Sequence, residues 1–270
     1  AIDDVTVTEG NAGTVNAVFT VTKTLASSQT VTVDFATGGG TATAGADYTA
    51  NSNTLTFLAG GALTQTVTVV VSGDLIDELD ETFNLTLSGA TNATITDATG
   101  VGTITDDDTS TLAIDDVTVT EGDSGTTNAV FTITLSEASE GTLTTGYQTS
   151  DGTAAAPADF TAIPRTDLSF APGETSKTVS VAVNGDTLLE GDETFSLLLF
   201  RPGGLGPPIA DAQGIATIVN DDAPDAAVLT ISGASFTEGS PGQMAFTVTR
   251  SNNAGSFTVD FATAGGTAVA

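Results

Sequence analysis

One decapeptide occurs twice in this chain, and the distance between the two copies sets the size of the folding unit. The sequence AIDDVTVTEG fills residues 1–10 and returns unchanged at 113–122, which places Glu9 and Glu121 112 positions apart. A period of about 20 to 50 residues would indicate a solenoid, whereas a period this long is the size of an independent domain. We therefore predict two complete domains and the N-terminal part of a third, over 1–110, 111–224 and 225–270.

Within each repeat the residue pattern predicts strands rather than helices. Val31, Val33 and Phe35 alternate with polar residues, and this period of two is typical of a half-buried strand. Thr and Val favour strands, and Gly, Asn, Ser and Asp separate the runs. The pattern predicts an all-β fold in which each repeat is an antiparallel Greek-key sandwich packed around phenylalanines. The strands predicted in the first repeat are 4–8, 15–23, 29–36, 53–57, 63–72, 82–88 and 99–105, and the predicted core aromatic residues are Phe19, Phe35, Phe57 and Phe83.

The charge of the chain limits its partners. The formal net charge is -29, from 34 acidic and 5 basic residues. Nucleic acids and anionic membranes are bound through Lys and Arg, so neither is an expected partner, and no run of about 18 apolar residues predicts membrane insertion of this fragment. A chain this acidic favours cations. Residues 1–108 hold 14 acids, and 10 of these fall in four places at predicted strand ends, namely Glu9, Asp47, 74–81 and 106–108.

The chain has no Cys and no His, which excludes several kinds of chemistry. Disulfides, Cys nucleophiles, Ser-His-Asp triads and the usual zinc or copper sites all need one of these residues. Oxygen ligands remain, and they suit hard cations such as calcium. Paired carboxylates can also hydrolyse glycosides, but here the acids are too many and no aromatic platform for a sugar is evident. We therefore expect that the chain is not an enzyme.

The acidic residues are expected to converge at one end of each domain. In a Greek-key sandwich, loops and strand ends that are far apart in the sequence can meet at the same end, and like charges are costly to hold together without a cation. Calcium takes six to eight oxygen ligands, so ten carboxylates predict more than one ion. Each acid also has a simpler interpretation, with Glu9 as a turn residue beside Gly10, Asp47 as the cap of a turn and 106–108 as a solvated linker.

Four separated motifs resemble those of the Calx-beta domain, a module of sodium–calcium exchangers and of many large bacterial surface proteins. They are TEG after the first strand, ADY or ADF at 46–48 and 158–160, the acidic loops GDLIDELDETF and GDTLLEGDETF, and the terminal DDD or NDD. The resemblance covers essentially the whole chain. It implies tandem immunoglobulin-like, seven-stranded sandwiches with calcium at the end that bears these loops.

The resemblance also implies a set of calcium ligands in both complete repeats. Gly73 and Gly185 stand where strong calcium binders of the family often have another Asp, and Asn220 replaces the first Asp of the terminal triplet, so weaker sites are implied. The third repeat keeps Glu238 alone. The ligands in the first repeat are Glu9, Asp47, Asp74, the Ile76 carbonyl, Glu78, Glu81, Asp106, Asp107 and Asp108, and those in the second are Glu121, Asp159, Asp186, the Leu188 carbonyl, Glu190, Glu193, Asp221 and Asp222.

These observations predict a calcium-binding structural and adhesion module of a large extracellular or cell-surface protein. The chain begins and ends within a motif, as a fragment of a longer protein would. Calcium would stiffen the domain ends and junctions, and a protein or a carbohydrate would be the adhesion partner. Two alternatives stay open, namely a calcium-sensing region of a membrane transporter and a spacer stalk that binds no metal.

Overall fold

The computed structural model describes residues 1–223, 228–235, 244–251 and 258–264, and its regular structure is almost entirely β-strand. Within these residues no helix is long and apolar enough to cross a membrane. The first repeat forms β1 Val5–Thr8, β2 Gly13–Thr22, β3 Val31–Gly40, β4 Ser52–Phe57, β5 Thr64–Gly73, β6 Glu81–Thr91 and β7 Thr99–Thr105. All seven strands lie where the alternation of apolar and polar residues predicts them.

The second repeat forms the same series with one short strand added at its start. Its strands are β8 Leu112–Ile114, β9 Val117–Thr120, β10 Gly125–Leu135, β11 Leu143–Asp151, β12 Thr166–Phe170, β13 Ser176–Gly185, β14 Glu193–Phe200 and β15 Gln213–Val219, with a 3-10 helix at Pro202–Gly204. Further along, β16 Leu229–Ile231 pairs with β17 Val248–Arg250. Glu238, the acid predicted to remain in the third repeat, lies outside the described residues.

Each complete repeat is a sandwich of two sheets. In the first repeat, five strands lie in the order β1-β7-β6-β3-β4 and face the pair β2-β5, so the chain crosses between sheets in a Greek-key manner. The second repeat has the sheets β12-β11-β14-β15-β9 and β13-β10-β8. The predicted antiparallel arrangement needs one correction, because β1 pairs parallel with β7 and β9 pairs parallel with β15. In each pair, one strand is the first and the other the last of its five-stranded sheet in chain order. No hairpin joins the two strands of a pair, so no turn forces them to run in opposite directions.

Phenylalanines fill the space between the sheets. The four aromatic residues predicted for the first core are all buried. Phe83 on β6 meets Phe19 on β2 edge to face, with ring centroids 5.8 Å apart, so this contact joins the two sheets. Tyr48, from the loop before β4, stacks on Phe83 at 4.6 Å, and Phe160 stacks on Phe195 at 4.2 Å in the second repeat. Aromatic stacking therefore ties one loop of each repeat to the core.

The two ends of each sandwich differ in character. The acidic pole of the first repeat is the end where β1 and β7 finish and β6 begins, and it holds Glu9, Glu81 and 106–108. The opposite pole holds the turn between β2 and β3 and the turn between β6 and β7. The 11 residues of β6 run from one pole to the other, a distance of roughly 35 Å.

Candidate metal centre

The parallel pairing of the first and last strands builds one carboxylate cluster. Thr8 of β1 lies opposite Thr105 of β7, and the Glu9 amide donates to the Thr105 carbonyl at 3.3 Å. Parallel neighbours finish at the same edge of a sheet, so the residues that follow them are brought side by side. Glu9, Asp106 and Asp108 each offer a carboxylate oxygen, and these oxygens all lie within 4.8 Å of one another.

An aromatic stack builds the second cluster. Asp47 directly precedes Tyr48, and Glu81 lies two residues before Phe83 on the same strand, so the stacking of Tyr48 on Phe83 brings the two carboxyl groups together. Oxygens of Asp47, Glu78 and Glu81 lie within 4.8 Å of one another. The Asp47 carboxyl also accepts from the Thr43 amide. The ADY motif is thus the means by which the core positions an acid.

The second repeat has two corresponding clusters, of which one differs in its members. Asp159, Glu190 and Glu193 match the second cluster of the first repeat, residue for residue. The other cluster is made of Asp123, Asp221 and Asp222, and Asp123 is not among the ligands predicted from the sequence. The sequence feature that could have indicated Asp123 is the polar residue directly after TEG in both repeats. The counterpart in the first repeat is Asn11, whose Nδ2 donates to Asp108 Oδ1 at 2.6 Å.

Several other predicted ligands shape the backbone of the acidic pole. Asp74 Oδ1 accepts from the Ile76 amide at 2.8 Å, and Asp186 Oδ1 accepts from the Leu188 amide at 2.6 Å, so both close the first turn of their loop. Asp107 Oδ1 accepts from the Gly10 amide at 2.9 Å, and Asp221 Oδ1 accepts from the Gly122 amide at 3.1 Å. Asp74, Ile76, Asp107, Glu121, Asp186 and Leu188 lie at the poles but are not members of the three-residue clusters.

The clustered acids are hard to ionise. Burial is the main cause and neighbouring carboxyl groups are the next, and together they raise the pKa of Glu9, Glu78 and Glu81 to about 7. The same causes raise the pKa of Glu121 to about 7. Burial also raises the pKa of Asp106, Asp108, Glu193 and Asp222 above the usual range. A bound cation would favour the charged form of every one of these groups.

Four buried side-chain oxygens at the acidic poles have no hydrogen-bond partner among the described residues. They are Asp106 Oδ1, Asp108 Oδ2, Asn220 Oδ1 and Asp222 Oδ2. Buried acceptors normally meet a donor, an ordered water or an ion, and Asp108 is only 5% exposed. Each pole thus combines clustered carboxylates with orphaned oxygens and no nitrogen or sulfur ligand. This donor set fits a hard cation such as calcium and does not fit zinc or copper.

The two glycines at positions where an acid was expected have a packing role. A Cβ on Gly73 would lie 1.9 Å from the Gly10 carbonyl oxygen, and a Cβ on Gly185 would lie 2.0 Å from that of Gly122. The backbone that follows the TEG motif therefore occupies the space a side chain would need. Gly10 itself has φ +78°, a left-handed conformation that glycine adopts without strain.

Asp77, between the predicted ligands Ile76 and Glu78, joins the first repeat to the second. Its amide donates to the Ala138 carbonyl at 3.0 Å, and its carbonyl accepts from the Glu140 amide at 3.2 Å and from Ser139 Oγ at 3.0 Å. Its Oδ2 accepts from the Ser110 amide at 3.0 Å, and Ser110 is fully buried. The acidic loop of one repeat is therefore pinned directly to the next.

Removal of the Asp77 carboxylate is expected to loosen this junction. In Asp77→Ala the buried Ser110 amide loses its acceptor, which costs about 1–3 kcal/mol. Asp77→Asn keeps a side-chain oxygen and should cost clearly less. Hydrogen exchange of the Ser110 amide and urea unfolding of both variants check this. Equal losses for Asn and Ala would show that the bond to Ser110 contributes nothing.

The match to a family model agrees with the motifs. The family description "Calx-beta domain" matches residues 3–108 and again 103–224. A search of curated proteins finds no match. Among solved structures, CBD12 from CALX1.2 is 20% identical, with 80% of this chain and 96% of that chain covered at a TM-score of 0.36. CBD12 of CALX1.1, described as a calcium binding domain, is 18% identical over 79% and 96% at a TM-score of 0.35. The apo form of the Calx CBD1 domain is 25% identical over 43% and 100% at a TM-score of 0.38.

Proposed function

Because this chain belongs to the Calx-beta domain family, whose members are known as calcium-binding modules, we propose that each complete repeat binds calcium at its acidic pole. The observation that carries the proposal is the set of orphaned oxygens on Asp106, Asp108, Asn220 and Asp222 beside the carboxylate clusters. Two clusters in each repeat support two ion positions in each. The family's domains are binding modules rather than catalytic ones, and we propose no catalysis here.

Bound calcium would supply positive charge to a pole whose clustered charged groups are carboxylates. Glu78 and Glu81 are close enough for their charges to repel, and both also lie near Glu140 of the next repeat. With this repulsion relieved, the loop 74–81 keeps its shape, and Asp77 stays in register with the turn at 138–140. Occupancy of the first repeat would thereby stiffen its junction with the second.

Calorimetric titration of the chain with calcium tests the proposal. We expect dissociation constants of about 10⁻⁴ to 10⁻³ M, the range of extracellular modules. Asp108→Asn keeps the side-chain shape but removes a carboxylate from the first cluster, and it should weaken one class of sites by about tenfold or more. Asp97→Asn makes the same change of charge at the opposite pole, where the carboxylate accepts from the nearby Thr99 amide. The proposal fails if calcium gives no heat, or if both variants bind as the parent does.

The wider role we propose is a structural and adhesion module in a large extracellular or cell-surface protein. The pinned junction supports a stiff stalk. The weaker sites that the resemblance implies from Gly73, Gly185 and Asn220 suit an extracellular module better than a micromolar sensor. The alternative, a calcium-sensing region of a transporter, requires binding at micromolar concentrations and a change of shape. The titration separates the two by affinity, and small-angle scattering with calcium and with chelator separates them by shape. An adhesion partner, whether protein or carbohydrate, would be sought by binding to arrays with calcium present.

A further inference from the structure

The opposite pole of the first repeat has an open pocket of about 480 Å³. Its lining includes Val21, Val31, Phe57, Leu87 and Ile95, which belong to the hydrophobic core or pack against it, together with Lys23 and several Thr, Ser and Asn residues. Two leucines stand exposed around this pole, Leu25 at 77% and Leu58 at 67%. Exposed leucines beside a pocket that core side chains line in part are typical of an interaction site.

In the second repeat the corresponding space is filled by Leu112. The repeated decapeptide begins at Ala1 and at Ala113, so Leu112 stands in the position immediately before the decapeptide. Leu112 is fully buried and packs in the same cluster as Ile133, Phe170 and Leu199. Its amide donates to the Pro208 carbonyl at 2.8 Å, and its carbonyl accepts from the Ala210 amide at 2.7 Å. In the first repeat Val21, Phe57 and Leu87 are the matching core residues, and they line the open pocket.

The same pole of the second repeat is covered by an acidic pole. Its turn at 136–140 is bonded to Asp77 of the first repeat, as described above. The first repeat has a matching turn at 24–28, since the Ser27 carbonyl accepts from Gly60 as the Ser139 carbonyl accepts from Gly173. In the described part of the chain, the turn at 24–28 receives no acidic loop.

Lys23 adds a charge to this pole. Its Nζ lies 5.3 Å from the centre of the Phe57 ring, is buried, and has no hydrogen-bond acceptor in the residues that the structure describes. A buried ammonium without an acceptor is costly. The acidic pole of a repeat, rich in carboxylates, is chemically suited to supply one.

We propose that this pole of the first repeat is a docking surface for the acidic pole of another repeat of the same kind, whose connecting segment places an aliphatic side chain in the pocket as Leu112 does in the second repeat. This inference goes beyond calcium binding, because it rests on the pocket, the matching turn and the buried amine.

A short extension of the full chain tests the pocket. Thr-Ser-Thr-Leu, the sequence of residues 109–112, is added directly before Ala1, and Thr-Ser-Thr-Asp serves as the matched control. Burial of the leucine should raise the melting temperature of the first repeat by about 5 °C or more and slow hydrogen exchange at Val21 and Val31. The aspartate should do neither. Equal behaviour of the two extensions would overturn the proposed occupant.

A longer extension tests the docking. A copy of residues 1–112 is placed before Ala1, and cysteines replace Asp77 of the copy and Ser27 of the chain, which has no cysteine of its own. The matched control is the unextended chain with Asp77→Cys and Ser139→Cys, because Asp77 and Ser139 face each other in a β-bridge. We expect the two pairs to form a disulfide to within about twofold of each other, with calcium or with chelator.

Two results would overturn the docking proposal. One is a disulfide in the control pair and none in the extended chain. The other is self-association of the unextended chain in sedimentation that Leu25→Asp abolishes, since the pole would then be covered by a second chain instead. Neither result depends on whether the acidic poles bind calcium, so failure here is distinct from failure of the proposed function.

Discussion

Gly73→Asp is expected to destabilise the first repeat strongly and not to strengthen its binding of calcium. The family resemblance alone suggests the contrary, since strong binders often have an acid at this position. Any side chain at residue 73, however, places its Cβ 1.9 Å from the Gly10 carbonyl oxygen and 2.7 Å from that of Glu9. The contacted atoms are backbone atoms and cannot rotate away. The turn that holds Glu9 must therefore move, at a cost of about 3 kcal/mol or more in the free energy of unfolding.

Two matched variants separate the steric cause from the charge. Gly73→Ala adds only the Cβ and should lose most of the same stability. Gly191→Asp adds an acid to the corresponding loop of the second repeat, where a Cβ meets nothing within 4 Å, and it should change stability little. Urea unfolding of the three variants measures the losses, and calcium titration measures the affinity. A Gly73→Asp protein that is stable and binds calcium more tightly would contradict the steric argument.

The strands were predictable because a period of two is a local property. Val31, Val33 and Phe35 alternate with polar residues, and all three are buried in the first core. The parallel pairing of β1 with β7 was not predictable in the same way. Alternation shows which side chains face the core, but it carries no information about which strand lies alongside or in which direction it runs. Without that pairing, the meeting of Glu9 with Asp106 rests on resemblance alone.

The sequence predicted that the site consists of carboxylates, but it predicted only some of the residues that the structure brings together. The resemblance placed Asp47, Glu78 and Glu81 among nine implied ligands without grouping them, and the stacking of Tyr48 on Phe83 is the physical reason that Asp47 and Glu81 meet. Asp123 was missed because its counterpart in the first repeat is an amide, Asn11. The role of Asp77 could not be read from one repeat, because three of its four partners, Ala138, Ser139 and Glu140, lie in the next one.

Calcium and pH are expected to act on stability in opposite senses. In the absence of metal, the pKa of Glu9, Glu78, Glu81 and Glu121 is about 7, against the ordinary value of 4.5 that applies to the unfolded chain. A carboxyl whose pKa is raised by folding contributes stability that is fully present below pH 4.5 and is lost as the pH rises through 7. The melting temperature of the metal-free protein should therefore fall between about pH 5 and pH 8.

Saturating calcium should reverse this fall above pH 7, because a bound cation replaces the proton as the group that offsets the clustered charge. At a hundred times the dissociation constant, each independent site adds about 2.7 kcal/mol, which raises the melting temperature of a domain this size by roughly 10 °C. Below about pH 5 protons occupy the same oxygens, so the curves with calcium and with chelator should converge.

Glu9→Gln is the control variant for these effects of pH and calcium on the melting temperature. The amide has no charge at any pH, so the metal-free variant should be more stable than the parent at pH 8 and lose less stability between pH 5 and pH 8. It should also lose part of the response to calcium, because a member of the cluster with Asp106 and Asp108 is gone. Magnesium should stabilise the parent less than calcium does, since it keeps its waters and requires a strict octahedral site. Scanning calorimetry of both proteins across this pH range measures all four effects. A melting temperature of the metal-free parent that rises steadily from pH 5 to pH 8 would contradict the prediction. It would show that ionisation of the clustered carboxyl groups does not destabilise the folded protein, so calcium would have no such repulsion to relieve.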